Sequence, residues 1–163
     1  MHLTPDTAVF QKRLEALPLA TFEAGETVLA AGSRTGRLLI LKTGKVSIVK
    51  EGIEIAKVAE PGAVFGEISA LLDQPHAARV CAVEASQFYV ADAAALLGED
   101  PIALLYVAAV LARRLDSATQ ALIELKTQLQ AGQPHTEIGQ TIRKLESILS
   151  PGELRYAGYP FDS

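Results

Sequence analysis

The residues with the most chemical potential lie together between Phe65 and Val80, in the stretch FGEISALLDQPHAARV. Gly66 and Glu67 interrupt an apolar run, and His76 and Arg79 follow across a short polar loop. Without a Cβ, Gly66 lets the backbone turn tightly and pass close to a bound group. Glu67 comes next, and the residues after it, ISALL, read as a single helical turn whose leading N–H groups have no partner within the helix. A carboxylate beside free donors suits a ligand with both sugar hydroxyls and a phosphate. Glu67 would accept from a hydroxyl, while the amides of Ile68 and Ser69 would meet negative oxygen. On the residues alone, an ion pair from Glu67 to a strand lysine accounts for the same carboxylate equally well.

Other chemistries find little support. A metal site of the kind held by jelly-roll enzymes needs histidines and a carboxylate gathered on neighbouring strands. The histidines here are His2, His76 and His135, too scattered in sequence for that, and Cys81 has no histidine near it. Neither a GxSxG elbow nor a phosphate-cradling P-loop occurs. No catalytic residue, metal ligand or cofactor is therefore assigned, and the chain is expected not to be an enzyme.

The whole chain sets the frame for these residues. Its 163 residues, 49% apolar and 21% charged, suit one ordinary domain with an appendage. A net charge of −4, with no basic stripe, argues against direct nucleic-acid binding, which relies on clustered lysine and arginine. The first twenty residues carry charges throughout and do not read as a signal peptide. The longest weakly charged run, residues 101–112, is too short to cross a bilayer, so no membrane partner is expected. A single cysteine in a strand-like run makes a reducing cytoplasm the default location.

Three textures follow one another along the chain. Residues 6–16 have apolar positions at Val9, Phe10 and Leu14, continued by Leu17, which suits a short amphipathic helix stopped by Pro18. From Leu19 onward, brief aliphatic runs (TVLAA, RLLILKT, KVSIVKE, EIAKVAE and RVCAVE) alternate with turns at Gly25, Gly32, Gly44, Gly52 and Gly62. Such spacing predicts a mainly β fold with flanking helices, an antiparallel jelly-roll β-barrel. After Tyr89 a short helix is expected over residues 91–97. A long one should follow the break at 98–101, capped by Asp100 and opened by Pro101. Along it Leu104, Ala108, Leu111, Leu115, Ala118, Leu122, Leu125 and Leu129 alternate spacings of four and three, a heptad seam on the order of 38 Å long. Packing on the chain's own barrel suits its start. Beyond Arg113 the pattern predicts a parallel homodimer seam through Leu111, Leu115, Ala118, Leu122, Leu125 and Leu129. A shorter helix over residues 136–149 and an aromatic tail, RYAGYPFDS, complete the chain. The expected division is 1–98, 99–131 and 132–163.

The run from Phe22 to Val90, through GETVLAAG, LLILKTGKVSI and EPGAVFGEISALLDQPHAARV, resembles the cyclic nucleotide-binding domain family, and FGEISALL with PHAARV is similar to its phosphate-binding cassette. The resemblance implies cAMP or cGMP as ligand. Phe65, Gly66, Glu67, Ile68, Ser69, His76 and Ala77 would form the cassette, Glu67 accepting from the ribose 2′-hydroxyl. The stretch Ala112-Arg113-Arg114-Leu115 looks like the bacterial catabolite-activator branch, which implies a purine contact one turn later, here at Thr119. In that branch a helix-turn-helix domain follows the long helix. Some thirty residues with few basic side chains leave too little for it here, so a Crp/Fnr-type transcription regulator fragment is a lesser alternative.

One departure stands out. Where the family's cassette places an arginine after the proline, this chain has His76. A guanidinium gives phosphate two parallel charge-assisted bonds, whereas an imidazole gives one at best and is mostly neutral at pH 7. Three outcomes stay open: His76 binds phosphate when protonated, the pocket serves another ligand, or it is only structural. The expectation is a dimeric regulatory or sensory protein that binds cyclic nucleotide weakly and signals to an unidentified protein partner. Its rival is a ligand-free scaffold for dimerisation and docking.

Overall fold

The aliphatic runs become strands where their alternation can bury one face. In this computed structural model, which describes residues 7–131 and Gly139, eight strands are seen among the described residues. They are β1 (Leu19–Phe22), β2 (Thr27–Leu29), β3 (Arg37–Thr43), β4 (Val46–Lys50), β5 (Ile53–Val58), β6 (Val64–Phe65), β7 (Arg79–Ala82) and β8 (Ser86–Asp92). All pairings are antiparallel and make two four-stranded sheets, ordered β1-β8-β3-β6 and β2-β7-β4-β5. The expected jelly roll is present as two open sheets rather than a closed barrel.

Leu29, Leu39, Leu41, Val46, Val80 and Phe88 fill the core, and Phe88 meets Phe22 and Phe65 edge-on at centroid distances of 5.7 and 6.0 Å. On β3, Leu38 to Leu41 are all buried, so both faces of that strand are covered. By alternation Leu39 and Leu41 face the core, while Leu38 and Ile40 face the side of the helices. Helix α1 (Thr7–Glu15) is amphipathic as expected, burying Phe10 and Leu14 on one face, and of the expected apolar positions within it only Val9 is exposed.

The two-residue strand β6 and the end of β8 are defined by their partners in the sheet. β6 has two residues and exists through the pairs Leu39↔Phe65 and Ile40↔Val64. β8 ends in Ala91 and Asp92, which the sequence placed in a helix because ADAAALL favours one. Pairing of Leu38 with Ala91 and Arg37 with Asp92 keeps them extended. Helix α3 therefore runs Ala93–Glu99, with the Asp92 side chain accepting from Ala95 N at 2.8 Å.

Asp100 caps α4 (Pro101–Ala131) as expected, its Oδ1 accepting from Ile102 N and Ala103 N at 3.0 and 3.2 Å. Arg13 pairs with its other oxygen. Burial would raise the Asp100 pKa, but the Ala103 amide, Arg13 and the Ile102 amide outweigh it and hold the carboxyl below its usual value. Among the described residues no single helix is long and apolar enough to cross a membrane.

Early in α4, the Tyr106 hydroxyl donates to Gly62 O at 2.8 Å and its ring stacks on Phe10 at 3.9 Å. Tyr106→Phe keeps the stack and loses the hydrogen bond. It is expected to cost about 1 kcal/mol, read as a drop in Tm of roughly 2–4 °C.

The chain divides into two units within α4, between Val110 and Leu111. The first takes in the sheets, α1 to α3 and the opening turns of α4. In the second, Leu122 is buried, whereas Leu115 and Leu125 of the heptad seam are 53% and 42% exposed. The shorter helix expected over 136–149 and the tail lie outside the described residues.

Candidate functional site

The cassette is built by a change of backbone direction that only glycine takes without strain. β6 ends at Phe65, Gly66 adopts φ 91°, and helix α2 (Glu67–Leu72) begins at once. A Cβ at Gly66 would lie 2.4 Å from Arg37 O and 3.6 Å from His76 Cε1. That close approach brings β3, the head of α2 and the His76 loop to one place. The first helical bond of α2 runs from Ala70 N to Gly66 O, so the amides of Glu67, Ile68 and Ser69 form the leading turn.

Glu67 and His76 are 3% and 7% exposed, two ionisable side chains buried in the same corner. Buried charges are costly unless partnered, which makes this pairing informative. His76 lies in the loop before β7 rather than in an extension of that strand. Its amide donates to Ser33 O at 2.9 Å and its carbonyl accepts from Gly32 N at 2.8 Å. Its Nε2 is 2.9 Å from Thr35 Oγ1, which also accepts from Arg37 N. A hydroxyl can donate to a bare Nε2 or accept from a protonated one, so this contact survives a change of charge.

Burial pushes the His76 pKa below 6.5, and the Glu67 carboxylate partly opposes that. The stability consequence follows by linkage. A histidine whose folded pKa is lowered binds fewer protons folded than unfolded, so its contribution is intact above about pH 6.5 and is lost as pH falls through the lowered value. The Tm of the free protein should therefore fall between pH 7 and pH 5 more steeply than that of His76→Asn. Parallel curves would contradict this assignment.

The other cassette residues have distinct placements. The Phe65 side chain belongs to the core, leaving its backbone at the site. Ile68 is 47% exposed. The Ser69 hydroxyl donates to Gln74 O and its carbonyl accepts from Gln74 N, closing the end of α2. Ala77 is exposed, and so is Arg79 on β7, across from Val49. Thr119 belongs to the second unit, where its hydroxyl donates to Leu115 O at 2.8 Å.

Nothing in the local sequence points to the loop before β3, which meets the cassette from some forty residues away. Besides Thr35 on His76, Arg34 Nη1 donates to Asp73 Oδ1 at 3.0 Å and to Asp73 O at 3.2 Å. Only the fold brings residues 32–35 against 73–76, and no local pattern announces such a contact.

Comparison with known proteins agrees with this geometry. The cyclic nucleotide-binding domain model matches residues 19–98. A cGMP-dependent protein kinase of Plasmodium berghei is 38% identical over 69 residues, 42% of this chain and 8% of the kinase. The Thermus thermophilus catabolite activator protein superposes with a TM-score of 0.61 at 26% identity, covering 74% of this chain and 60% of that one. A cyclic nucleotide-binding domain from Methylobacillus flagellatus gives 0.62 at 23% identity, covering 73% of each chain, and this likeness speaks for the fold alone. This chain thus spans a small part of the kinase and less than two thirds of the activator. Glycine-forced turn, buried acid, two-sheet jelly roll and matched model converge on one assignment: residues 19–98 belong to the cyclic nucleotide-binding domain family.

Proposed function

We propose that the chain is a regulatory sensor that binds a cyclic nucleotide, cAMP or cGMP, through a cassette in which His76 must be protonated to hold the phosphate. The observation that carries this reading is the corner formed by Gly66, Glu67 and His76. His76 Cε1 would lie 3.6 Å from a Cβ at Gly66, both ionisable groups are buried, and the Arg37 carbonyl leaves the turn no room for a side chain. A cyclic phosphate entering there adds its negative charge to that of Glu67 and so favours the imidazolium over the neutral ring. Binding and protonation then favour each other.

The sign of the pH effect follows. The His76 pKa is lowered in the free protein and rises toward or above its usual value beside a phosphate, so binding takes up a proton. Affinity should increase as pH falls from 8 to 6. A thermal-shift series with cAMP, cGMP and cyclic dinucleotides at both pH values tests this. The reading expects a rise in Tm with a cyclic mononucleotide, larger at pH 6. A flat response at both pH values for every ligand would overturn it.

A second reading is favoured by one observation: His76 is already satisfied, by Thr35 at its ring and by Gly32 and Ser33 at its backbone. A side chain so placed holds the loop without any ligand. On that reading the domain is a scaffold for dimerisation and docking. In either case the heptad positions Leu111, Leu115, Ala118, Leu122, Leu125 and Leu129 are the proposed homodimer seam, and a protein partner receives the output. Thr119 is the proposed purine contact. Equilibrium sedimentation of the native chain and of Leu115→Glu tests the seam, a monomer in the variant alone being the supporting result.

A further inference from the structure

We propose that a second small-molecule site, separate from the cassette, lies between α1, β3 and the first turns of α4 and takes a single-ring aromatic carboxylate. A half-enclosed cavity of about 180 Å³ is lined there by Phe10, Gln11, Leu14, Lys42, Tyr89 and Tyr106, with the Pro61-Gly62 turn at one side. Nothing in the cassette chemistry uses these residues.

Size limits the occupant first. Sites for drug-sized ligands begin at about 300 Å³, whereas an apolar cavity of about 150 Å³ accepts one benzene ring. The space here admits a ring and one substituent, and a cyclic nucleotide is too large. The walls then select the ring. Three aromatic side chains line one small space, and since Phe10 and Tyr106 are stacked on each other, one face of each is taken and a planar guest meets a ring edge.

The charge comes from Lys42. Its Nζ stands 5.6 Å from the centre of the Tyr89 ring, and among the described residues no carboxylate pairs with it. An ammonium beside an aromatic slot favours an anion whose charge sits at the edge of a ring, and a carboxylate meets that with a charge-assisted hydrogen bond. The Gln11 amide offers a further donor or acceptor. The cavity also borders both ends of the hydrogen bond from Tyr106 to Gly62, so a guest touches α4 and the turn that leads into β6 together.

The probe is benzoate, with benzamide as its uncharged counterpart, titrated into the full isotope-labelled chain by amide-shift mapping. Benzoate is expected to move the amides of Lys42, Gly62 and Tyr89, and to bind about tenfold or more tightly than benzamide. Lys42→Gln should remove that preference. Absence of shifts at these amides at millimolar benzoate overturns the proposal. So does equal affinity for the two probes in the native chain, or a preference that persists in Lys42→Gln. None of these readings depends on whether the cassette binds nucleotide.

Discussion

His76→Arg is expected to tighten binding of cAMP or cGMP by about ten- to a hundredfold at pH 7, and to abolish the pH dependence. A guanidinium is charged at every accessible pH and presents paired donors to phosphate, whereas His76 begins neutral and offers one. One added hydrogen bond to a charged group contributes roughly 1.5–3 kcal/mol, which sets the range. The loop should keep its place in the variant, because His76 is held by backbone bonds to Ser33 and Gly32 that do not involve the ring. Loss of the contact with Thr35 is expected to cost about 1 kcal/mol of stability. Isothermal titration of both proteins reads the affinities. An unchanged or weaker affinity in the arginine variant would show that this position does not face a phosphate.

Gly66→Ala is expected to abolish nucleotide binding and to lower the Tm by roughly 5 °C or more. At φ 91° an L-residue is strained by about 1–2 kcal/mol, and the added Cβ would sit 2.4 Å from the Arg37 carbonyl, well inside contact distance. Backbone cannot swing aside as a flexible side chain does, so β3 and the head of α2 must separate. At roughly 2–4 °C per kcal/mol for a chain of this size, strain and clash together give the stated shift. Binding should suffer more than stability does, because the leading amides of α2 move with Gly66. A variant that melts normally and binds nucleotide as the native chain does would refute the role given to this turn. Gly62→Ala makes an informative contrast. There the obstruction, 2.7 Å away, is the Tyr106 hydroxyl, the tip of a side chain, so only the backbone strain is obligatory.

How much of this was legible in the residues depended on how local each cause was. The turn at Gly66 and the acid after it are neighbours in sequence, so their chemistry could be read directly. Asp100 and Pro101 carry their own cap signal, and α4 begins where they stand. Strands rich in β-branched residues, such as Val46–Lys50, were visible for the same reason. β6 was legible only as a strand ending at Phe65 before Gly66, because two residues carry no periodicity and pairing with Leu39 and Ile40 defines its extent. Ala91 and Asp92 went to β8 because cross-strand bonds to β3 override a helix-favouring composition. At the site, the departure at His76 was plain, but its surroundings were not. Thr35, Arg34 and Ser33 come from another loop, and their arrival decides that the imidazole is buried and already hydrogen-bonded.

The balance between sensor and scaffold turns on the proton that His76 gains when phosphate arrives. Titration calorimetry of cAMP and cGMP into the native chain, repeated at pH 7 in buffers of different ionisation enthalpy, counts that proton directly. The account predicts uptake of a substantial fraction of one proton per bound nucleotide, absent in His76→Arg. Binding with no proton exchange, or no binding by the native chain at either end of the pH range, would contradict it.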